Sequence, residues 1–183
     1  MDYEIYAEKV IEEIKRSLLS VESSKIALFI KDILAAPQIF CDGKGRSALP
    51  AKSFAMRLAQ MGITVFDVDG VTTPAINKDD FLIIASGSGE TPNLIEHADV
   101  ANRVGAKVVL ISTDKASTLK NKSDYCFQFH AKSKQEDDNC SIQPMGTLFE
   151  QSVTVFFDII VLLLMEKKKI SGNAMYDCHK NLE

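Results

Sequence analysis

Two short segments rich in glycine and hydroxyl side chains hold the residues best suited to binding an anion. The first is Ser86-Gly87-Ser88-Gly89-Glu90-Thr91, here called the serine turn (residues 86–91), which directly follows the apolar run 81–85. Glycines allow a tight turn, and a helix that begins there offers unpaired N–H groups and the positive end of its dipole. The pattern predicts a phosphate-binding turn, and the alternative is a turn that only caps a helix. The lysine of a Walker A loop is missing, which argues against a nucleoside triphosphate.

The second segment is Asp42-Gly43-Lys44-Gly45-Arg46-Ser47, in which residues 43–47 are called the glycine loop. Two glycines permit close approach of the backbone to a ligand. Ser47 stands near the start of the next helix, where its hydroxyl either caps that helix or donates to a phosphate. A dinucleotide site is disfavoured, because the G-x-G-x-x-G pattern is incomplete, with Ala48 in the third position, and because no acidic residue closes the second strand cleanly.

A third segment contains a candidate base. Glu150 ends the run Gln143-Pro144-Met145-Gly146-Thr147-Leu148-Phe149-Glu150, and the long apolar helix predicted over 145–169 begins after the proline. Beside two apolar side chains the carboxylate would be partly desolvated, which would raise its pKa toward that of a general base. The alternative, which spacing alone favours, is a first-turn glutamate that only complements the helix dipole.

The three histidines differ in their predicted surroundings. His97 falls within a predicted helix away from the strand ends, which indicates a surface residue. His130 follows the last predicted strand. His179 lies in a polar tail that is either disordered or reaches into a neighbouring subunit's site, and composition does not decide between the two.

The chain alternates short apolar runs with amphipathic stretches, which predicts an α/β fold with a parallel sheet. Strands are expected at 38–41, 63–66, 81–85, 107–112 and 125–129. Helices are expected at 3–34 with a break near 20–24, and at 47–61, 91–104, 117–121 and 145–169. A polar surface loop is expected over 131–141. We expect a single domain over 1–183, made of an N-terminal helical segment (1–34), an α/β core with the long helix (35–169) and a tail (170–183).

The composition is that of a globular protein. The 183 residues are 46% hydrophobic and 25% charged, with a net charge of −4 that does not favour non-specific nucleic-acid binding. Cys41, Cys126, Cys140 and Cys178 form no CxxC pair or zinc-type spacing, which indicates reduced thiols. The N-terminus lacks a signal-peptide core, and the longest apolar run, 153–165, is shorter than the ~20 residues of a membrane span. We expect a soluble cytoplasmic protein.

The order of the motifs resembles that of the sugar isomerase (SIS) domain family, and within it the 6-phospho-3-hexuloisomerases. The resemblance rests on Gly45-Arg46-Ser47 with the helix after it, the serine turn, the run 143–150 and the ending around His179. It covers almost the whole chain. Lys44 departs from it, because a small residue is expected between the two glycines.

The resemblance implies a flavodoxin-like, five-stranded parallel sheet with helices on both faces and further helices at both termini. It implies a homotetramer that interconverts D-arabino-3-hexulose 6-phosphate and D-fructose 6-phosphate without metal or organic cofactor. The residues implied to contact the substrate are Gly45, Arg46, Ser47, Ser86, Gly87, Ser88, Gly89, Glu90 and Thr91. Glu150 is the implied catalytic base, and His179 is a second catalytic or substrate-contacting group. The alternatives are an isomerase of the same fold acting on arabinose 5-phosphate, and a non-catalytic sugar-phosphate sensor.

Overall fold

The computed structural model describes residues 2–113, 116–131 and 141–179. Five parallel strands form one sheet in the order β2-β1-β3-β4-β5. The strands are β1 (Ile39–Gly43), β2 (Val65–Asp67), β3 (Phe81–Ala85), β4 (Lys107–Ser112) and β5 (Tyr125–Gln128). The helices are α1 (Tyr3–Leu19), α2 (Ile26–Ala35), α3 (Ala48–Gln60), α4 (Pro92–Val104), α5 (Thr118–Asn121), α6 (Thr147–Lys168) and α7 (Gly172–Asp177). The predicted α/β class, the parallel sheet and the terminal helices are confirmed.

The strand order reverses between β1 and β3. From β1 the chain moves outward to β2 at the sheet edge, then returns to β3 on the other side of β1. The ladder pairs Gly43 with Ala85, so the two strands end side by side. In open parallel sheets a ligand crevice forms at such a reversal, outside the carboxyl ends of the strands.

Helices cover both faces of the sheet, which explains the nearly continuous apolar runs of the strands. One face packs against α2, α3 and α6, where the rings of Phe54 and Phe157 stack with centroids 4.2 Å apart. The other face packs against α4 and α5 through fully buried side chains such as Leu94 and Leu119. Because strand side chains alternate between faces, Cys41 belongs to the first core cluster and its neighbour Phe40 to the second.

The long helix α6 is the centre of the first cluster. It is long and apolar enough to cross a membrane, but 56% of its most apolar 18-residue window is buried inside the protein. Its buried side chains include Val153, Ile160 and Leu164, which belong to the same core cluster as the strand side chains of that face. This burial is that of a core helix in a globular protein.

Both ends of the chain are helical, as predicted. The predicted break is present, since α1 ends at Leu19, α2 begins at Ile26, and the Ser20 hydroxyl donates to the Ser17 carbonyl at 2.6 Å. The tail contains α7, whose N-terminus is capped by Ser171. Cys140 and most of the predicted loop 131–141 lie outside the described residues, and the other three cysteines are free thiols.

A buried glutamate joins α1 to the segment that leads into α6. Glu13 is 6% exposed, and its carboxylate accepts hydrogen bonds from the Ile142 N–H (2.7 Å), the Ser141 hydroxyl (2.7 Å) and the Gln143 amide (3.1 Å). Burial acts to raise the pKa of the Glu13 carboxyl, but these hydrogen bonds together outweigh it and hold the pKa below its ordinary value. The position of residues 141–143 therefore depends on Glu13.

Replacement of Glu13 with glutamine should lower the free energy of unfolding by about 1–3 kcal/mol at neutral pH, because an amide cannot serve all three donors. The matched control is Glu12→Gln, whose side chain is 59% exposed. The contribution of Glu13 is present above its ordinary pKa of 4.5 and is lost as the pH falls through the lower pKa of the folded state. Urea denaturation at several pH values tests this, and equal stabilities of wild type and Glu13→Gln at pH 7 would contradict it.

Candidate functional site

The glycine loop and the serine turn lie together at the crevice between β1 and β3. The glycine loop begins at Gly43, the last residue of β1, and the serine turn begins directly after Ala85, the last residue of β3; the ladder pairs these two residues. The loop contains a 3₁₀ turn, Gly45–Ser47, that leads into α3, and the serine turn leads into α4. Two helix N-termini therefore meet at the carboxyl ends of the strands, which is an arrangement that binds anions.

The serine turn is held from the β4 side through its carbonyl groups. The Gly87 carbonyl accepts from the Ser112 and Thr113 hydroxyls, each at 2.9 Å, and the Gly89 carbonyl accepts from the Leu119 N–H at 3.1 Å. In a trans peptide the N–H points opposite to the carbonyl. The N–H groups of Ser88 and Glu90 are therefore directed away from β4 and α5, to the other side of the turn.

The hydroxyl groups of the turn stabilise its backbone. The Ser86 hydroxyl accepts from the Gly89 N–H at 3.2 Å, and the Ser88 hydroxyl accepts from the Glu90 N–H at 3.3 Å. Thr91 precedes α4 and Ser47 precedes α3, yet neither side chain makes a capping hydrogen bond to its helix. The capping explanation of these two hydroxyls therefore does not hold in the described structure.

Glu90 has a contact that the sequence did not predict. Its carboxylate accepts from the Thr118 N–H at 2.7 Å, at the start of α5. The sequence predicted a role for the Glu90 backbone, whereas its side chain ties the serine turn to α5.

Glu150 lies where the long helix meets the glycine loop. Its side chain is almost fully buried, and its carboxylate accepts a hydrogen bond from the Arg46 guanidinium, whose own side chain is 65% exposed. A Cβ on Gly87 would lie 3.4 Å from the ring of Phe149, so the serine turn also contacts the start of α6. The three segments singled out from the sequence therefore come together at the carboxyl ends of β1 and β3.

His179 and His97 lie in different surroundings. His179 is exposed after α7, with its ring stacked on Tyr176 at a centroid distance of 6.0 Å, and its role beside Glu150 stays a prediction. His97 lies in a helix, α4, as predicted, and its side chain is 32% exposed, but it does not lie away from the strand ends. Its Nδ1 lies 2.6 Å from a carboxylate oxygen of Asp42, which is buried near the end of β1. The sequence feature that could have indicated this contact is an aspartate, Asp42, at the end of an apolar run and immediately before a glycine.

The residues that the structure describes contain no group of three His, Cys, Asp or Glu side chains able to hold a metal ion. The polar groups gathered at the crevice include hydroxyls, backbone N–H groups, the Glu150 carboxylate and the Arg46 guanidinium. These groups can bind a phosphate ester and move a proton.

A sequence model of the SIS domain matches residues 32–154, which include both loops and Glu150. The chain belongs to the SIS domain family. It is 36% identical to a 3-hexulose-6-phosphate isomerase of Bacillus subtilis (strain 168) over 97% of either chain. It is 31% identical to a 3-hexulose-6-phosphate isomerase of Mycobacterium gastri over 95% of this chain and 88% of the relative.

A solved structure supports the same grouping. A hypothetical protein of Methanococcus jannaschii, for which a molecular function of 3-hexulose-6-phosphate isomerase was inferred from its crystal structure, has a TM-score of 0.85 with this chain. The two are 27% identical, and the match covers 97% of this chain and 99% of that one. The family resemblance predicted from the motifs is confirmed.

Substitution of Gly89 with alanine should destabilise the protein more than the same change at Gly62, although both glycines have positive φ (+65° and +74°). A Cβ on Gly89 would lie 2.2 Å from the Ser117 hydroxyl oxygen, whereas nothing lies within 4 Å at Gly62. The shared backbone strain costs about 1–2 kcal/mol, and the collision adds about 1–3 kcal/mol at Gly89. Urea denaturation of the two variants measures the difference, and equal losses would contradict the packing of the turn against Ser117.

Proposed function

We propose that this protein interconverts D-arabino-3-hexulose 6-phosphate and D-fructose 6-phosphate. The observation that carries the proposal is the buried Glu150 carboxylate, paired with Arg46 at the carboxyl ends of the strands, where the serine turn also lies. Identity of 36% over almost the whole chain with a 3-hexulose-6-phosphate isomerase supports this sugar as the substrate.

The phosphate group of the substrate is bound by the serine turn and Ser47. The N–H of Ser88 faces away from the β4 side, the hydroxyls of Ser47 and Thr91 are not used as caps, and α4 contributes the positive end of its dipole. The backbone of Gly87, Gly89 and Glu90 shapes the turn around the phosphate. Gly45 and Arg46 belong to the glycine loop beside it. Binding energy from this remote group orients the carbons that react.

Glu150 moves the proton. Its carboxylate removes the proton from C2 of the 3-ketose, the bonding electrons form a C2=C3 double bond, and the C3 carbonyl becomes an enolate oxygen. Proton exchange between the two oxygens and return of a proton to C3 then place the carbonyl at C2. Arg46 orients the carboxylate through its hydrogen bond. His179 or a backbone N–H donates to the enolate oxygen.

The substrate assignment is tested by supplying 3-hexulose 6-phosphate and arabinose 5-phosphate in parallel. Formation of fructose 6-phosphate is followed with a coupled dehydrogenase, and the aldose phosphate reaction is followed by chromatography. Turnover of the hexulose phosphate alone is the expected result. Turnover of arabinose 5-phosphate alone would make the protein a different isomerase, and binding without turnover of either would make it a sensor.

Replacement of Glu150 with glutamine should lower kcat by about 10²–10⁴-fold, because the base is lost. Binding of fructose 6-phosphate, measured by calorimetry, should persist, because the serine turn is intact. The control is Glu166→Gln on the exposed side of the same helix, which should retain wild-type kcat. Near-normal turnover by Glu150→Gln would remove Glu150 from its assigned role.

We further propose that the protein is a cytoplasmic homotetramer in which His179 completes the site of a neighbouring subunit. Large apolar side chains lie exposed on α1, with Tyr3 82%, Tyr6 56% and Ile11 65% accessible, as expected of a surface that pairs with another copy. The exposure of His179 at the end of α7 suits a residue that reaches outward.

Sharing of the site between subunits predicts complementation. Glu150→Gln and His179→Asn should each be inactive alone, whereas subunits mixed by reversible dissociation should regain about a quarter of wild-type activity if the exchange is random and each site uses two chains. Size-exclusion chromatography with light scattering gives the number of subunits. Full activity of His179→Asn alone, or no recovery in hybrids shown to have formed, would contradict the arrangement.

A further inference from the structure

Asp42 is a charged residue in a place that packing alone would fill with an apolar side chain. It shares a face of the sheet with Phe40, Leu82 and Ile84, all of them buried, and is itself only 2% exposed. An unpaired carboxylate at such a site is strongly destabilising. Burial raises the pKa of the Asp42 carboxyl, against the opposing effects of His97, Lys44 and the Gly43 N–H. Stability therefore does not account for the choice of aspartate.

The contacts of Asp42 lead to the glycine loop and to α4. One carboxylate oxygen accepts from the Gly43 N–H at 2.8 Å, and the Lys44 ammonium lies 4.0 Å from the same oxygen. The other oxygen lies 2.6 Å from Nδ1 of His97. Lys44 also pairs with Asp69 beyond the end of β2, so the loop is tied on two sides.

Fixing Gly43 fixes the rest of the loop. A Cβ at Gly43 would lie 2.9 Å from the Ser47 carbonyl oxygen and 3.0 Å from Cα of Ala48, so the loop folds back directly onto this glycine. Arg46, next to Ser47, is the residue that contacts Glu150. The orientation of Gly43 is thereby transmitted to both Ser47 and Arg46.

His97 connects this loop to the other half of the site. It lies on α4, the helix that begins directly after Thr91 at the end of the serine turn. The contact between His97 and Asp42 therefore joins the helix that follows one loop to the strand that precedes the other.

We propose that Asp42 and His97 are a positioning pair that fixes the spacing between the serine turn and the glycine loop. This inference rests on the proposed function, because it assigns the pair to the placement of the phosphate relative to Arg46 and Glu150. Neither residue contacts the sugar. The pair acts through the Gly43 backbone on one side and through α4 on the other.

The first test compares His97→Leu with His97→Asn. Leucine removes the hydrogen bond, whereas the asparagine amide nitrogen stands near the position of Nδ1 and can still donate to Asp42. The expected result for His97→Leu is a fall in kcat/KM for 3-hexulose 6-phosphate of about tenfold to a hundredfold, with a raised KM as its larger part, because displaced binding groups misplace the reacting carbons. His97→Asn should restore most of the loss, and Glu96→Gln, exposed on the same helix, should match wild type.

The double variant Asp42→Asn/His97→Leu separates positioning from folding. It removes the buried charge together with its partner, so its melting temperature should lie closer to wild type than that of His97→Leu. Its KM should stay raised, because the connection between loop and helix is still absent. A wild-type KM in either leucine variant, or a loss in His97→Asn equal to that in His97→Leu, would overturn the proposal.

Direct binding keeps this test distinct from that of the proposed function. The affinity for fructose 6-phosphate is measured by calorimetry in the same variants, with no need for turnover. If wild type binds the sugar phosphate but turns over no substrate, the proposed reaction fails, while weaker binding by His97→Leu and its recovery in His97→Asn still support the positioning pair. Equal affinity in wild type and His97→Leu would refute it.

Discussion

The parallel pairing of β1 with β3 is the constraint on which the site depends. It brings Gly43 level with Ala85, and both strands then continue into segments that turn toward helix N-termini. Without that register, the glycine loop and the serine turn would not face one crevice. The apolar faces of both strands set the register, since a shift by one residue would place core side chains on the wrong side of the sheet.

Buried carboxylates hold the elements around this crevice in place. Glu13 binds the segment before α6, Asp42 binds the glycine loop and α4, and Glu150 binds Arg46. A buried carboxylate is tolerated only when it is paired or hydrogen-bonded, so each of the three imposes a definite position on its partners. All three carboxylates connect elements distant in sequence, and Glu150 is the one that we assign to proton transfer.

The sequence predicted the sheet well, because strands buried on both faces are recognisable as apolar runs. It predicted the end of β1 less well, since the strand continues through Asp42 and Gly43, where ladder hydrogen bonds rather than apolar side chains define it. The meeting of the glycine loop and the serine turn agrees with the rule that a ligand crevice forms outside the carboxyl ends of neighbouring parallel strands. The Arg46–Glu150 pair was not predicted, because the two residues are 104 positions apart and charge alone does not select a partner. The contact between His97 and Asp42 was missed for the same reason, since the position of His97 within a helix does not reveal that a carboxylate lies beneath it near the end of β1.

In the proposed reaction Glu150 exchanges a proton with the carbon skeleton of the sugar. The most direct measurement is the fate of the C3 proton of fructose 6-phosphate when enzyme and sugar are incubated in D₂O and followed by NMR. Wild-type protein should replace that proton with deuterium, while Glu150→Gln should leave it in place over the same period and still bind the sugar. Exchange by Glu150→Gln at the wild-type rate would show that Glu150 does not move the proton.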